Sequence, residues 1–324
     1  MSKLIKTISA ILFAATGMVA VSGPAWSGFP DRPIRLIVSF PPGGSSDTVA
    51  RIVQHFLEKK LGQTVIVENR PGAGGMVAIE YVSKSAPDGY TLGVGGAGAL
   101  VADLSVQAMP YDPRKDIVEI TGLASSPFIL AASNKFKGST LQDVIAAAKS
   151  GQNISIGHGG NGTLMHLTAE MLLQDANIKV ALIAYRGIAP VVNDLLGSHI
   201  DLGVVDPPSA KGALDAHTIK PIAVTSKARF PMIPNTPTFS ESGLPGFEST
   251  GWFGIVAPRG VPIDVVNKLN TAFVAALNDH DTANRIRALG AEPMPMTPSE
   301  FSAFIEKENA KWGKVVQRAK RKPK

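Results

Sequence analysis

Two glycine-rich loops carry the residue types that could bind an anion. They are Pro41-Pro-Gly-Gly-Ser-Ser-Asp47 and Gly157-His-Gly-Gly-Asn-Gly-Thr163, each between a short apolar run and a helical pattern. Glycine lets the backbone approach a ligand, and a helix start offers unpaired N–H groups with a partial positive charge. Such an end stabilises an anion by about 0.3–1 kcal/mol, and up to roughly 2 when partly buried. Two facing ends could hold two anionic groups, or one carboxylate and one polar end.

The hydroxyl groups near these loops offer further hydrogen-bond donors. Ser45 and Ser46 follow the first loop and Thr163 ends the second. An alternative interpretation is that both loops are ordinary glycine turns, with Asp47 and Thr163 acting only as helix caps. Spacing alone leaves the two interpretations open.

Other polar residues stand beside the second loop or at later strand ends. His158 and His166 flank that loop and could donate to a carboxylate, although His166 could equally be a structural histidine. Asp206 ends a strand before Pro207-Pro208 and could accept from a ligand amine or hydroxyl, or only initiate a turn. Tyr185 and Arg186 form another strand-end loop, in which Arg186 either pairs with an acid or is solvated.

Several kinds of chemistry are disfavoured by what the sequence lacks. It contains no cysteine, which excludes disulfides, Cys-ligated zinc, iron–sulfur clusters and thiol nucleophiles. The six histidines form no close metal-ligand pair, so we expect neither a metal nor a cofactor. Two Gly-x-Gly-x-x-Gly matches, at 93–98 and 157–162, leave a weak nucleotide-binding alternative. The first does not follow the opening strand of its lobe and no clear amphipathic helix comes after it, and the second lacks the acidic residue of that fingerprint.

The N-terminus has the pattern of a secretory signal peptide. Lys3 and Lys6 precede a mostly apolar stretch, and Ala25-Trp-Ser27 offers small residues at a cleavage site. We therefore expect residues 1–27 to be removed near Ser27 and the rest to reach the periplasm; the alternative is an uncleaved anchor. The chain has a formal net charge of +6, and removal of the two lysines leaves +4. An exported protein seldom meets nucleic acid, so we read the basic C-terminus as a solvated helix end.

The order of patterns predicts an α/β protein of two lobes. Short apolar strands alternate with helical segments from residue 35 to 94 and again from 141 to 225. This alternation is typical of parallel sheets flanked by helices, and 324 residues suit two domains. Two longer extended segments, near 119–132 and 252–257, separate the blocks. The helical segments near 262–279 and after Pro298 could pack on either lobe.

The chain resembles the Bug family of periplasmic solute receptors, which serve tripartite tricarboxylate transporters. The matching blocks are 29–38, 40–47, 67–75 and 86–92, then 160–163 with His166, 185–187, 194–197, 237–238, 251–254 and Trp312. Each block is weak alone, but together they cover nearly the whole chain after residue 27.

The resemblance implies a type II periplasmic-binding-protein fold. In that fold two α/β lobes are joined by two crossing strands, and a ligand binds in the cleft between them. Mapped onto this sequence, it assigns residues 28–125 and 252–324 to lobe 1 and residues 126–251 to lobe 2. Both glycine-rich loops then face the cleft.

The resemblance also implies a small carboxylate ligand, held largely by backbone N–H groups of the two loops. Carried over, it points to Pro42, Gly43, Gly44, Ser45, Gly162, Thr163, Tyr185 and Asp206; Ser46, Ala97, His158, Asn161 and His166 complete the predicted ligand-binding set. The chain departs from the family after the strand at 90–94. Many relatives have a small hydroxyl residue there, whereas this chain has Gly95-Gly-Ala-Gly98, so a donor is absent and the pocket is expected to be roomier or more apolar.

The leading hypothesis is a monomeric, non-enzymatic receptor that closes around a carboxylate and delivers it to the membrane permease subunits of a tripartite tricarboxylate transporter. A second hypothesis is a sensor whose closed form docks on a membrane kinase. A third is an exported enzyme that uses Asp206, His158 or His166 as acid and base. The sequence contains no nucleophile–base–orienter set that would support the enzyme.

Overall fold

The computed structural model describes residues 28–101 and 109–321. The predicted signal peptide, residues 1–27, lies outside this range. Within the described ranges, none of the helices combines the length and the apolar character needed to cross a membrane.

The described residues form eleven strands, ten α-helices and one short 3₁₀ helix at Ala73–Gly75. The strands are β1 (Ile34–Val38), β2 (Val65–Asn69), β3 (Thr91–Gly96), β4 (Ile117–Pro127), β5 (Ile129–Ser133), β6 (Ser155–His158), β7 (Ala181–Ala184), β8 (Leu202–Val205), β9 (Ile219–Val224), β10 (Thr250–Pro258) and β11 (Glu292–Pro293). The helices are α1 (Ser45–Leu61), α2 (Met76–Ser83), α3 (Ala97–Leu100), α4 (Leu141–Lys149), α5 (Leu164–Asp175), α6 (Ile188–Leu196), α7 (Pro207–Asp215), α8 (Ile263–Asn278), α9 (His280–Ala288) and α10 (Pro298–Arg321).

The strands form two separate sheets with helices packed against them. One sheet has six strands in the order β11-β4-β10-β3-β1-β2, and the other has five in the order β7-β6-β8-β5-β9. We call the elements on the first sheet lobe 1 and those on the second lobe 2. This mixed α/β architecture of two sheets is the predicted fold class.

The strand–loop–helix unit at the start of lobe 1 follows from its sequence pattern. The run Ile34–Val38 is almost entirely buried, as expected for a strand covered by helices on both faces. Helix α1 buries Val49, Val53 and Leu57 along one stripe. It ends at Gly62, whose left-handed φ of 69° is the conformation that glycine adopts most readily at a helix end.

The crossing strands differ from the expectation of parallel sheets. Strands β2 and β3 run parallel to β1, and β7 and β8 run parallel to β6. The long strand β10, however, is antiparallel to both β3 and β4, and β5 is antiparallel to β8 and β9. Two neighbouring parallel strands need a crossover connection, usually a helix, within the same sheet. These strands connect the lobes and have no such crossover, so they pair antiparallel.

Helix α7 is absent from the sequence-based prediction, which ends a strand at Asp206-Pro-Pro and leaves turn initiation by Asp206 as an alternative to ligand binding. The structure begins a helix at Pro207, where the Asp206 carboxylate caps the N–H of Ser209 at 3.1 Å. Proline is well tolerated in the first helical turn because its missing N–H would have had no partner there.

The C-terminal helix α10 lies against both lobes. It contacts strand β4 of lobe 1 and helix α5 of lobe 2. Its Glu308 carboxylate accepts two indole N–H groups, from Trp252 at 2.9 Å and from Trp312 at 3.0 Å. Because Trp252 belongs to the crossing strand β10, this shared carboxylate ties α10 to the connection between the lobes.

Candidate functional site

The strand ends of both lobes meet around one cleft. Strands β1 and β3 of lobe 1 and β6 and β8 of lobe 2 all lead into loops that line it, as is usual at the carboxyl ends of parallel strands. One cavity in this cleft, together with its opening to solvent, encloses about 650 Å³, and we call it the main cavity because the starts of α1 and α6 line it. Its lining is Phe40, Pro41, Gly44, Ser45, Ser46, Gly96, Ala97, Gly98, Ser126, Phe128, Gly159, Thr163, Leu164, Met165, Gly187, Ile188, Ala189, Asp206, Gly251, Trp252 and Phe253.

The start of helix α1 presents unpaired donors to this cavity. Its N-cap is Gly44, and within the described part of the chain no side chain caps the first turn. The Ser46 hydroxyl is 1% exposed and has no hydrogen-bond partner among the described residues. Burying a hydroxyl without a hydrogen-bond partner costs free energy. A polar ligand group in the cavity would therefore gain a hydrogen bond with the Ser46 hydroxyl.

Asp47 holds the first loop in its conformation. Its carboxylate accepts the Gly43 N–H at 2.9 Å, the Asn69 amide at 2.9 Å and the Arg51 guanidinium at 3.0 Å. Burial alone would raise the pKa of Asp47, but the hydrogen bonds from Arg51, Gly43 and Asn69 outweigh it and lower the pKa. The N–H of Gly43 is thus already used within the loop.

The second loop is held by bonds between its own residues and the start of α5. The Thr163 hydroxyl accepts the His166 N–H at 3.3 Å and donates to the Gly160 carbonyl at 2.7 Å. Thr163 is therefore the N-cap of α5 and also lines the cavity. The capping role and the candidate ligand-binding role coexist in one residue.

Two imidazoles accept amide protons from the second loop. The N–H of Gly160 points to His158 Nδ1 at 3.4 Å, and that of Gly162 points to His166 Nδ1 at 3.3 Å. The two rings lie 4.7 Å apart between centroids. Burial, with the neighbouring His166, lowers the pKa of His158 to about 4, and burial also lowers the pKa of His166. Both rings are neutral acceptors near pH 7.

A hydrogen bond spans the cleft between the lobes. The Ser45 hydroxyl of lobe 1 donates to the Asp206 carboxyl of lobe 2 at 2.5 Å. Asp206 is 1% exposed, and burial raises the pKa of its carboxyl, partly offset by the bonds from Ser45 and Ser209. The first loop, the start of α7 and the cavity wall therefore meet at one buried acid.

Glycines bring the two lobes into backbone contact beside the cavity. A Cβ atom built on Gly98 would lie 3.0 Å from the carbonyl oxygens of both Gly162 and Gly74. A Cβ on Gly74, which has a φ of +66°, would lie 2.8 Å from the carbonyl of Asn161. Only residues without a side chain allow this close approach. The backbones of the two lobes are therefore in contact at this point.

A second cavity adjoins the first and, together with its opening to solvent, encloses about 770 Å³. It is lined by Gly72–Met76 of lobe 1 and by Gly159–Gly162 and Ala184–Arg186 of lobe 2, and it shares Phe40, Gly98 and Gly159 with the main cavity. The Tyr185 hydroxyl donates to Asp194 at 2.5 Å, and burial followed by this bond raises the pKa of Tyr185 to about 12. Tyr185 is thus a neutral side chain tied to α6.

The predicted ligand-binding residues fall into three groups in the structure. Gly44, Ser45, Ser46, Ala97, Thr163 and Asp206 line the main cavity. Asn161, Gly162 and Tyr185 line the adjoining one. Pro42, Gly43, His158 and His166 line neither cavity: Pro42 and Gly43 are exposed, and the two histidines lie behind the second loop.

The floor of the cavity is formed by residues absent from the predicted set. Phe128, Trp252 and Phe253 come from the connections between the lobes, and Phe40 packs edge-on against Phe253. A signal was present, since the family resemblance maps the two crossings between the lobes near residues 123–130 and 250–257, and crossing strands are expected to form the floor of the cleft.

The arrangement suits binding of an anion more than covalent chemistry. Among the described residues no group of three His, Cys, Asp or Glu side chains could hold a metal ion. Instead, the cavity brings together helix starts, the unpaired Ser46 hydroxyl and the buried Asp206 carboxyl group. Preorganised N–H groups at helix starts bind a carboxylate without further side chains.

Comparisons with known proteins agree with this description. BugT of Bordetella pertussis is 32% identical over 320 residues, covering 98% of this chain and 97% of BugT. The structure of R. palustris Rpa4515 with adipate matches with 32% identity and a TM-score of 0.86, covering 90% of this chain and 98% of that one. MatC from Rhodopseudomonas palustris, with bound malate, matches with 32% identity and a TM-score of 0.84, covering 89% and 100%.

A family model described as the tripartite tricarboxylate transporter family receptor matches residues 49–320. That span includes α1 beyond its first turn, the whole second loop, Asp206 and the crossing strand β10. With a match over most of the chain and relatives above 30% identity, the chain belongs to the Bug-type receptors of tripartite tricarboxylate transporters.

Proposed function

We propose that this protein is a periplasmic receptor that binds one small carboxylate in the main cavity by closure of its two lobes. It then delivers the acid to the membrane permease subunits of a tripartite tricarboxylate transporter. It works as a monomer without cofactor and catalyses no reaction. Signal-peptide removal near Ser27 precedes folding in the periplasm.

The observation that carries the proposal is the unpaired polar surface at the start of α1. The first-turn N–H groups have no side-chain cap among the described residues, and the buried Ser46 hydroxyl has no partner there. Helix α6 begins at the same cavity, also without a side-chain cap within that part of the chain. A carboxylate has two oxygens that can accept from such donors at once.

Relatives of known structure support the ligand class. Rpa4515 was solved with adipate and MatC with malate, and both share the fold and about a third of the residues of this chain. Since both ligands are small carboxylic acids, we extend that class to this chain.

The contacts across the cleft support closure as the binding motion. Ser45 reaches Asp206, and Gly98 approaches the backbone of Gly162. A ligand favours this arrangement only by as much as it binds the closed state better than the open one. An acid held by donors of both lobes has that differential affinity, because opening removes half of its partners.

The test begins with the mature chain unfolded, dialysed and refolded to remove any carried ligand. Isothermal titration with a panel of small acids should give saturable binding at one site per chain. Failure of every acid in the panel to bind would refute the proposal.

Ser46→Ala identifies the site. Because the hydroxyl has no partner in the described part of the structure, its loss should leave the free energy of unfolding unchanged or slightly raised. Binding should weaken by roughly two- to tenfold, the value of one hydrogen bond of about 0.5–1.5 kcal/mol. Ser150→Ala, at the exposed end of α4, is the matched control and should bind like the parent.

Delivery is tested in cells. Deletion of the gene should abolish uptake of the acid that the purified protein binds. A strain that keeps its uptake but loses a transcriptional response to the acid would point to the sensor instead.

A further inference from the structure

Asn69 lines neither of the two cavities, but it supports the loop that leads into α1. It is the last residue of β2, and strand pairing places it opposite Val38, the last residue of β1. The first loop, residues 41–47, begins shortly after Val38. The sheet therefore holds the Asn69 side chain close to the point where the loop begins.

The Asn69 amide holds the entrance and the end of the first loop together. Its Nδ2 donates to the Phe40 carbonyl, just before the loop, and to Asp47 Oδ1, at the end of the loop, both at 2.9 Å. Its Oδ1 accepts from the Arg51 guanidinium at 3.3 Å, which orients the amide so that Nδ2 faces the loop. One side chain thus fixes two separate points of the loop.

Asp47 carries this support into the middle of the loop. Its Oδ2 accepts the Gly43 N–H at 2.9 Å, and Gly43 forms the turn of the loop with a φ of +81°. Asp47 is only 3% exposed, so water replaces a lost hydrogen-bond donor poorly. Removal of the Asn69 amide therefore leaves this buried carboxylate short of a donor and loosens its hold on Gly43.

The loop determines where the donors of α1 point. Ser45 and Ser46, in the first turn of α1, follow Gly44 directly and line the main cavity. The loop also touches lobe 2, since a Cβ atom built on Gly187, the N-cap of α6, would lie 2.8 Å from Pro41 Cδ. A shift of the loop would therefore change both the direction of the α1 donors and their distance from the start of α6.

Donors bind a carboxylate more tightly when they are held in place before it arrives, because ordering them during binding costs free energy. A loop that occupies its binding conformation for only a fraction of the time reduces the measured affinity by that fraction. Since Asn69 lines neither cavity, its influence on binding acts through the loop.

Resting on the proposed function, we propose that Asn69 is a positioning residue for ligand binding. Its amide holds the first loop so that the start of α1 faces the ligand carboxylate. This role concerns the carboxylate and not the body of the acid, so it applies equally to acids of different skeleton.

The experiment compares Asn69→Ala with Gln54→Ala. The Gln54 amide also joins α1 to β2, since it donates to the carbonyl of Val65 at 2.7 Å, but Val65 is the first residue of β2 and lies at the opposite end of the strand from Asn69. Each variant loses an amide that connects the same two elements, so both should lower the free energy of unfolding.

The refolded mature chain and its variants are titrated calorimetrically with butanoate, malate, adipate and benzoate. Asn69→Ala should bind every acid that the parent binds at least about fivefold more weakly, by a similar factor for each, whereas Gln54→Ala should bind like the parent. In amide ¹⁵N–¹H spectra without ligand, the Ser45 and Ser46 signals should shift in Asn69→Ala. They should keep their positions in Gln54→Ala.

Asn69→Asp is the second variant, for use if Asn69→Ala fails to fold. It keeps the shape of the side chain and an acceptor for Arg51 but removes both donors to the loop. It should give at least the same loss of affinity.

Each result supports or overturns the inference. Equal affinities of Asn69→Ala and Gln54→Ala would mean that Asn69 only stabilises the fold, which overturns the positioning role and leaves the receptor function intact. A loss limited to some of the bound acids also overturns it, because the effect would then depend on the body of the ligand. No binding of any acid by the parent chain refutes the proposed function, and the inference falls with it.

Discussion

Gly98 lines the cavity and also forms the backbone contact between the lobes, so a substitution there perturbs closure and the cavity wall together. We predict that Gly98→Ala weakens ligand binding. A Cβ atom there would lie 3.0 Å from the carbonyl oxygens of Gly162, in the other lobe, and Gly74, in its own lobe. Gly98 is not among the residues with a positive φ, so alanine itself fits the backbone.

The size of the effect follows from the cost of overpacking. An added methyl group in a close-packed contact costs about 1–3 kcal/mol. If that cost falls on the closed state, the population competent to bind decreases, and the measured affinity decreases in proportion. The expected loss is roughly five- to 150-fold.

Isothermal titration gives the affinity, and small-angle scattering with saturating acid gives the degree of closure. Gly212→Ala is the matched control, because it lies within α7 and its added Cβ would meet nothing within 4 Å. We expect the control to bind like the parent. The reasoning is refuted if Gly98→Ala binds as tightly as Gly212→Ala and compacts to the same radius.

Two further predictions concern pH and fluorescence. The folded pKa of His158, about 4, lies below its usual 6.5, so the unfolded chain binds the proton first and stability falls as pH drops from 6.5 towards 4. His158→Gln should reduce the loss of unfolding free energy between pH 7.5 and pH 4.5 by roughly 2.5 kcal/mol in denaturant titrations, while the exposed His199→Gln should not. The same loss of unfolding free energy in both variants would contradict the prediction. Trp252 lines the cavity whereas Trp312 is buried in α10, so acid binding to the mature chain should shift Trp252 emission. The shift should persist in Trp312→Phe, and its disappearance there would refute the assignment.

Local features of the site were predictable from sequence. The runs before the two glycine-rich loops are buried strands, and the residues after them begin helices, because apolar spacing, glycine and helix-start residues all act over a few positions. Helix α7 was missed because Pro207-Pro208 looks like a turn, although proline also fits a helix start.

The contacts between lobes were not predictable from sequence. Ser45 and Asp206 are 161 positions apart, and nothing in the local pattern of either residue indicates a bond between them. The histidines show the same limit: the sequence left open whether His158 and His166 contact the ligand, and in the structure their Nδ1 atoms accept the N–H groups of Gly160 and Gly162. Which side of a loop a ring occupies depends on tertiary packing.

The central claim is that the uncapped starts of α1 and α6 hold the ligand carboxylate. Amide ¹⁵N–¹H spectra of the refolded mature chain, recorded while a binding acid is added, test it most directly. The account predicts the largest shift changes at Ser45 and Ser46 in lobe 1 and at Ile188 and Ala189 in lobe 2, together and with one binding curve. Changes confined to one lobe, or centred away from both helix starts, would contradict it.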